Sequence, residues 1–195
     1  MNLQSCQIGV VRQLFDRCAT GEGRAWRDLH RTYYPTARRF LAHMGVDAAD
    51  LEDACQEVFV QVFRYLARFQ HRADFQTWLY KLCLSQAARM RRRRKLQQAL
   101  AFILGRQGAT CASSAGHDWS EAMVGERVRR ALDRMKPLHR EVFVLFELEE
   151  MSSPEIAKLL EIPVGTIASR LRRAREAFRS VAERMERVMR RENQG

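Results

Sequence analysis

A chain of 195 residues with 46% apolar content can bury one large core or two small ones, which excludes a bulk-disordered polypeptide. Its net charge of +11, from 34 Lys or Arg against 23 Asp or Glu, is the bulk signature of a polyanion binder. Five cysteines without a CxxC pair suggest neither a disulfide framework nor a zinc site, and no run of 18 apolar residues offers a membrane span.

The charge is unevenly spread. Residues 1–95 hold seventeen Lys or Arg against nine Asp or Glu, 96–120 hold one of each, and 121–195 hold sixteen against thirteen. Apolar spacing is helical nearly throughout. The expected class is therefore all-α: two small helical domains, 8–95 and 123–190, joined by a flexible linker over 96–122. Reduced thiols and the absence of a basic, apolar leader before "LQSC" make a cytoplasmic location the expectation.

In chain order, the first helices are predicted over 8–19, 22–43, 47–68 and 74–96, broken by "TGEG", "GVDAAD" and "FQHRAD". The third carries two faces. Leu51, Cys55, Val58, Val62 and Leu66 form a buried stripe, while Asp50, Asp53 and Glu57 share another face with Gln56 beside them. Positions 47–57 contain five acids and no base, unexpected in so cationic a chain. DNA repels such a face, whereas a basic protein surface attracts it. The fourth segment, "WLYKLCLSQAARMRRRRK", turns Trp78 toward the core and ends in a dense cationic run. Each phosphate such a run neutralises releases counterion, giving strong but salt-sensitive affinity. "LQQALAFILG" is compatible with an extension of this helix, and "GRQGATCASSAGHD" has linker composition.

Helices are predicted again over 121–136, 138–149, 153–160 and 164–190. In "MSSPEIAKLLEIPVGTIASRL", Ser152 and Glu155 fit a capping box, and Pro154 falls in the first turn, where its missing N–H is harmless. Pro163 then closes a short connection to a second amphipathic helix. Ile167, Leu171, Ala174 and Phe178 supply its buried stripe, and Thr166, Ser169, Arg170 and Arg173 another face. This is the helix-turn-helix plan. Its second helix fits a major groove about 12 Å wide, hydroxyls and guanidinium groups meeting base edges. Arg172, Arg175 and Arg179 lie further round or further along, better placed for phosphates.

The stretch "ALDRMKPLHREVFVLFELEEMSSPEIAKLLEIPVGTIASRLRRAREAFR" resembles region 4 of the sigma-70 family, most of all its extracytoplasmic-function (ECF) group. Glu161 stands where that family usually has a turn glycine, and Glu150 where another is common. Earlier, "GEGRAWRDLHRTYYPTARRFLAHM" resembles region 2.1, "DAADLEDACQEVFVQVFRYLARF" region 2.2, and "FQTWLYKLCLSQAARMRRRR" regions 2.3 and 2.4. The resemblance implies a sigma factor that directs core RNA polymerase to promoters and helps open them. Its implied partners are the polymerase β′ coiled coil for region 2, the β flap for region 4, double-stranded and melted promoter DNA, and an anti-sigma factor.

The resemblance also implies site residues. Asp50, Asp53, Gln56 and Glu57 would meet polymerase. Lys81, Ser85, Arg89, Arg91, Arg92, Arg93 and Arg94 would meet the −10 element, with Arg72 and Phe75 holding unstacked bases. Thr166, Ser169, Arg170, Arg172 and Arg173 would meet the −35 element. Ser85 replaces a common asparagine and Arg89 a common aspartate, so the family's base preference does not transfer. The 27 linker residues reach at most ~90 Å, enough for promoter elements on the order of 60 Å apart at ~34 Å per duplex turn. No catalytic constellation, metal site or cofactor is expected: the five histidines are scattered. The alternative is an autonomous helix-turn-helix regulator that binds an operator without polymerase. The acidic face over 47–57 and the basic run over 89–95 argue against it.

Overall fold

The computed structural model describes residues 17–18, 22–66, 69, 74–103 and 121–192. Most of the helix predicted over 8–19 and the loop residue Arg72 lie outside the described residues.

Three helices make the first unit: α1 (Gly23–His43), α2 (Ala48–Tyr65) and α3 (Phe75–Ile103). Leu29, Phe40 and Leu41 of α1 meet Leu51, Cys55, Val58 and Val62 of α2 and Leu79, Tyr80 and Cys83 of α3 in one buried cluster. The predicted stripe of α2 is thus the stripe that packs. Local chemistry sets the boundaries. Gly45 adopts φ +83° in the turn after α1, a conformation glycine enters without strain. Asp47 is the extended residue before α2, and Asp50 in the first turn suits the positive end of the helix. Asp74 accepts the Gln76 amide at 2.9 Å, capping α3.

Helix α3 runs on through Ile103, so residues 96–103 are helix rather than flexible linker. The apolar and helix-forming run "LQQALAFI" carries it there.

The second unit comprises α4 (Glu121–Asp133), α5 (Pro137–Phe143), α6 (Ser153–Leu160) and α7 (Val164–Glu192). Leu132, Val142, Val144, Leu145, Ile156, Ile167, Leu171 and Ala174 line its interior, which is continuous with that of the first unit in one apolar cluster, and Phe143 stacks on Phe178 at 5.1 Å. Helix α5 does not stop at Phe143 but widens over Val144–Leu148. There the Glu149 amide reaches back to the Val144 carbonyl at 3.0 Å, a π-type bond spanning five residues. The predicted segment 138–149 is therefore helical with a loosened last turn. Buried Arg140 ties α5 to the end of α4, donating to the Leu132 carbonyl at 2.6 Å and to Asp133 at 3.1 Å. The two units touch where α3 and the α1–α2 turn face α5 and α6.

Candidate protein and nucleic-acid interfaces

Burial of Leu51, Ala54, Cys55, Val58 and Val62 turns the opposite side of α2 outward. Asp50, Asp53, Gln56 and Glu57 are all exposed there, on one continuous face. The face does not end with the acids. Val60 and Phe63 follow one and two turns on, and Phe63 is 64% exposed although its ring lies 4.8 Å from that of Trp26. Sequence reasoning passed over both. Their signal was available: Phe63 falls off the buried stripe of Val62 and Leu66, so an apolar side chain there is left without a core. The resulting surface is acidic at one end and apolar at the other, suited to a basic, partly apolar protein partner. Acid also lines the inner edge, where Glu52 accepts the Tyr34 hydroxyl and helps push that phenol up to about 12.

On α3, Lys81, Ser85, Arg89 and Arg92 are exposed and follow at i, i+4, i+8 and i+11, one stripe along the helix. Half-buried Trp78 begins the same line, its ring 5.2 Å from Phe69 and 5.6 Å from Phe75. Arg93 is exposed beside the stripe. Arg91 and Arg94 turn away from it. Arg91 sits between the Glu141 carboxylate, at 2.9 Å, and the Met44 carbonyl, and Arg94 pairs with Asp47. Arg89 also pairs with Glu57 at 3.1 Å, so the acidic and cationic faces adjoin.

Phe75 requires a correction. Expected to stack on an extruded base, it is instead 2% exposed, packed edge-on against Tyr33 and Phe69. A ring enclosed by aromatic neighbours in the core has no face to offer a base.

The helix-turn-helix forms as the capping signal predicts. Glu155 accepts both the Ser152 amide, at 2.8 Å, and the Ser152 hydroxyl, at 2.6 Å, which holds its carboxyl below the usual range. Glu150 and Glu161 sit at φ +54° and +57°, so the turns that glycine usually makes are kept by glutamates in the left-handed conformation. Ile167, Leu171 and Ala174 are buried as expected. Thr166 and Arg170 are half-buried, while Ser169, Arg172 and Arg173 are exposed. The Ser169 hydroxyl donates to the Thr166 carbonyl, and Arg172 pairs with Glu176. Arg175 is an anchor: it binds Glu147 at 2.6 Å and lies over the Phe146 ring.

Lys136 and His139, at the start of α5, join this surface without having been expected there. Burial lowers the His139 pKa, and Arg173, Lys136 and Arg170 lower it further. Lys136, Arg170 and Arg173 thus make one cationic patch around a His139 that they and burial push toward its neutral form. Only the tertiary fold brings positions 136–139 beside 170–173. Among the described residues, no group of three or more His, Cys, Asp or Glu could hold a metal ion, and no helix is long and apolar enough to cross a membrane.

A three-helix unit with an acidic face and a cationic stripe, followed by a helix-turn-helix unit, defines a two-part helical protein with the charge layout of a factor that meets both protein and DNA. Comparison with known proteins gives it a family. Residues 29–97 match "Sigma-70 region 2" and residues 125–178 match "Sigma-70, region 4". The chain is 26% identical over 178 residues to the ECF RNA polymerase sigma factor SigW of Bacillus subtilis, spanning 87% of this chain and 95% of that one. It is 28% identical to the RNA polymerase sigma-H factor of Pseudomonas aeruginosa, over 86% of this chain and 91% of that one. Its fold is similar to that of the sigma factor RpoE of Bartonella quintana, solved in complex with the anti-sigma factor NepR. There the TM-score is 0.67 at 19% identity, over 80% of this chain and 96% of that one. The chain belongs to the sigma-70 family of RNA polymerase sigma factors, in its ECF group.

Proposed function

We propose that this sigma factor recruits core RNA polymerase through the outer face of α2 and selects promoters by reading two separated elements. Residues 8–95 serve as the polymerase-binding and −10 unit and 123–190 as the −35 unit. Asp50, Asp53, Gln56 and Glu57 dock on the β′ coiled coil, with Val60 and Phe63 completing the contact, and the second unit meets the β flap. Lys81, Ser85, Arg89, Arg92 and Arg93 face the −10 element. Thr166, Ser169, Arg170 and Arg173 face base edges at −35, while Arg172, Lys136 and His139 approach phosphates. The protein works in the cytoplasm and catalyses no covalent step itself. An anti-sigma factor is a further partner, supported by the bound partner named for the Bartonella protein.

The observation that carries the reading is the adjacency of opposite charges on one unit. Asp53 and Gln56 on α2 lie one helix away from Ser85 and Arg89 on α3, with Glu57 and Arg89 joined across the gap. An operator-binding regulator needs no such acidic face. The test is Asp53→Arg. The variant should fold normally, lose binding to core polymerase, and abolish run-off transcription from genomic fragments that the unaltered protein supports. Unchanged transcription by Asp53→Arg would refute the assignment of this face.

A further inference from the structure

The three helices of the first unit each turn a different side outward. That of α2 is acidic, and that of α3 carries the stripe of Lys81, Ser85, Arg89 and Arg92. The outer side of α1 is built of arginine. Ala25, Leu29, Ala37 and Phe40 bury the inner side of this helix. Arg24, Arg27, Arg31 and Arg38, at i, i+3, i+7 and i+14, lie opposite them and are all exposed. The row runs ~21 Å along the helix axis. Because the three helices enclose a common core, it faces away from the α3 stripe.

Three observations mark the row as a binding surface. Its charge is scarcely neutralised. Asp28 is the only acid in α1, and it meets Arg31 at 3.1 Å in an open pair whose arginine is 83% exposed. Among the described residues, Arg24, Arg27 and Arg38 make no ion pair, whereas Lys81, Arg89, Arg91 and Arg94 of α3 all do. The row also works against the helix that carries it. Like charges at i, i+3 and i, i+4 repel, as Arg24 with Arg27 and Arg27 with Arg31, so the fold gains nothing from them. Finally, α1 uses arginine throughout and no lysine. The planar guanidinium fork matches two phosphate oxygens at once, which an ammonium does not. This protein engages promoter DNA, so the polyanion within reach of the row is a nucleic-acid backbone, which such contacts hold without reading.

We infer that the outer face of α1 is a further, sequence-independent site for the phosphodiester backbone of DNA, separate from the surfaces assigned to the −10 and −35 elements. It holds or fails whichever residues read those elements.

The test uses the full chain carrying R24Q/R27Q/R38Q. Binding to a fluorescein-labelled strand of about 30 nucleotides, and to the same sequence as duplex, is followed from about 50 to 200 mM salt. Affinity at the low end should fall about tenfold, and the salt slope should become shallower by about 2, as three lost phosphate contacts require. Loss with only one of the two probes identifies the form of DNA the row holds. The loss should be equal on an unrelated sequence. It should also add to that of R89Q/R92Q, because separate surfaces contribute independently. The control, R64Q/R184Q/R187Q, removes the same charge from exposed positions elsewhere and should change little. Circular dichroism checks helix content, which glutamine, a good helix former, should preserve. Should helicity fall, R24Q/R27Q replaces the triple variant, with a smaller loss in the same direction. The inference is overturned if affinity and slope do not change, if the control loses as much, if the loss depends on sequence, or if it vanishes in the R89Q/R92Q background. It is equally overturned if the triple variant keeps its DNA binding but loses binding to poly-L-glutamate, which would make the row a site for acidic protein.

Discussion

Arg170 lies half-buried beside Arg173 and His139, and among the described residues it has no carboxylate partner. Its neighbour Arg172 is paired with Glu176, and Arg175 with Glu147. An arginine left free in the first half of a recognition helix is the group best able to bond both acceptors of a guanine. Arg170→Ala should therefore lose roughly 1–3 kcal/mol at one promoter position, measured across a set of single-base promoter variants. Equal weakening on every variant would make it a phosphate contact. At this scale the sequence was informative wherever helical period alone decides exposure, as at Asp53, Ser85 or Ser169. It misled at Phe75, because an aromatic beside a polar loop reads alike whether its ring faces DNA or Tyr33. It was silent on Glu149, whose partner Tyr80 lies 69 residues away.

Among the elements, α6 is short, only Ser153–Leu160, so its start matters to the whole helix-turn-helix. Ser152→Ala removes the hydroxyl from the capping box and should destabilise the protein by about 1 kcal/mol in thermal or urea unfolding. The pH dependence has a definite sign. The Glu155 carboxyl is held below its ordinary value by the Ser152 hydroxyl, then by the Ser152 amide. A depressed carboxyl stabilises the fold above its unfolded value and loses that contribution as pH falls through the folded one. The difference between Ser152→Ala and the unaltered protein should accordingly shrink below the usual glutamate range of about 4.3. Element existence was legible because apolar periods and turn signals agreed, strongly enough in α1 to outweigh Pro35 within it. The end of α3 was less so: a run of good helix formers carries no stop signal before Gly105, and composition around it suggests a tether.

For the molecule as a whole, continuation of α3 to Ile103 shortens the tether. Residues 104–120 reach at most ~60 Å when fully extended, against elements on the order of 60 Å apart. The eight helical residues 96–103 add ~12 Å. The reach is therefore sufficient but not generous. Deleting ten residues from 106–116 should abolish transcription from promoters that need both elements while leaving polymerase binding through α2 intact, as co-purification with core polymerase would show. Restoration by an unrelated Gly/Ser segment of equal length would confirm a spacer role; failure of that rescue would point to a sequence-specific one.

The widened turn over Val144–Leu148 has a consequence for how such a chain could change in descent. It holds one residue more than a regular helix would over the same rise, and Glu149 follows directly after it. Loss of any single residue there would let the helix wind normally and swing its end by about 100° about the axis, carrying that glutamate off Tyr80. The Glu149–Tyr80 contact between the units is thus set by chain length in one turn, and a deletion of one codon, with no change in charge, would be enough to break it.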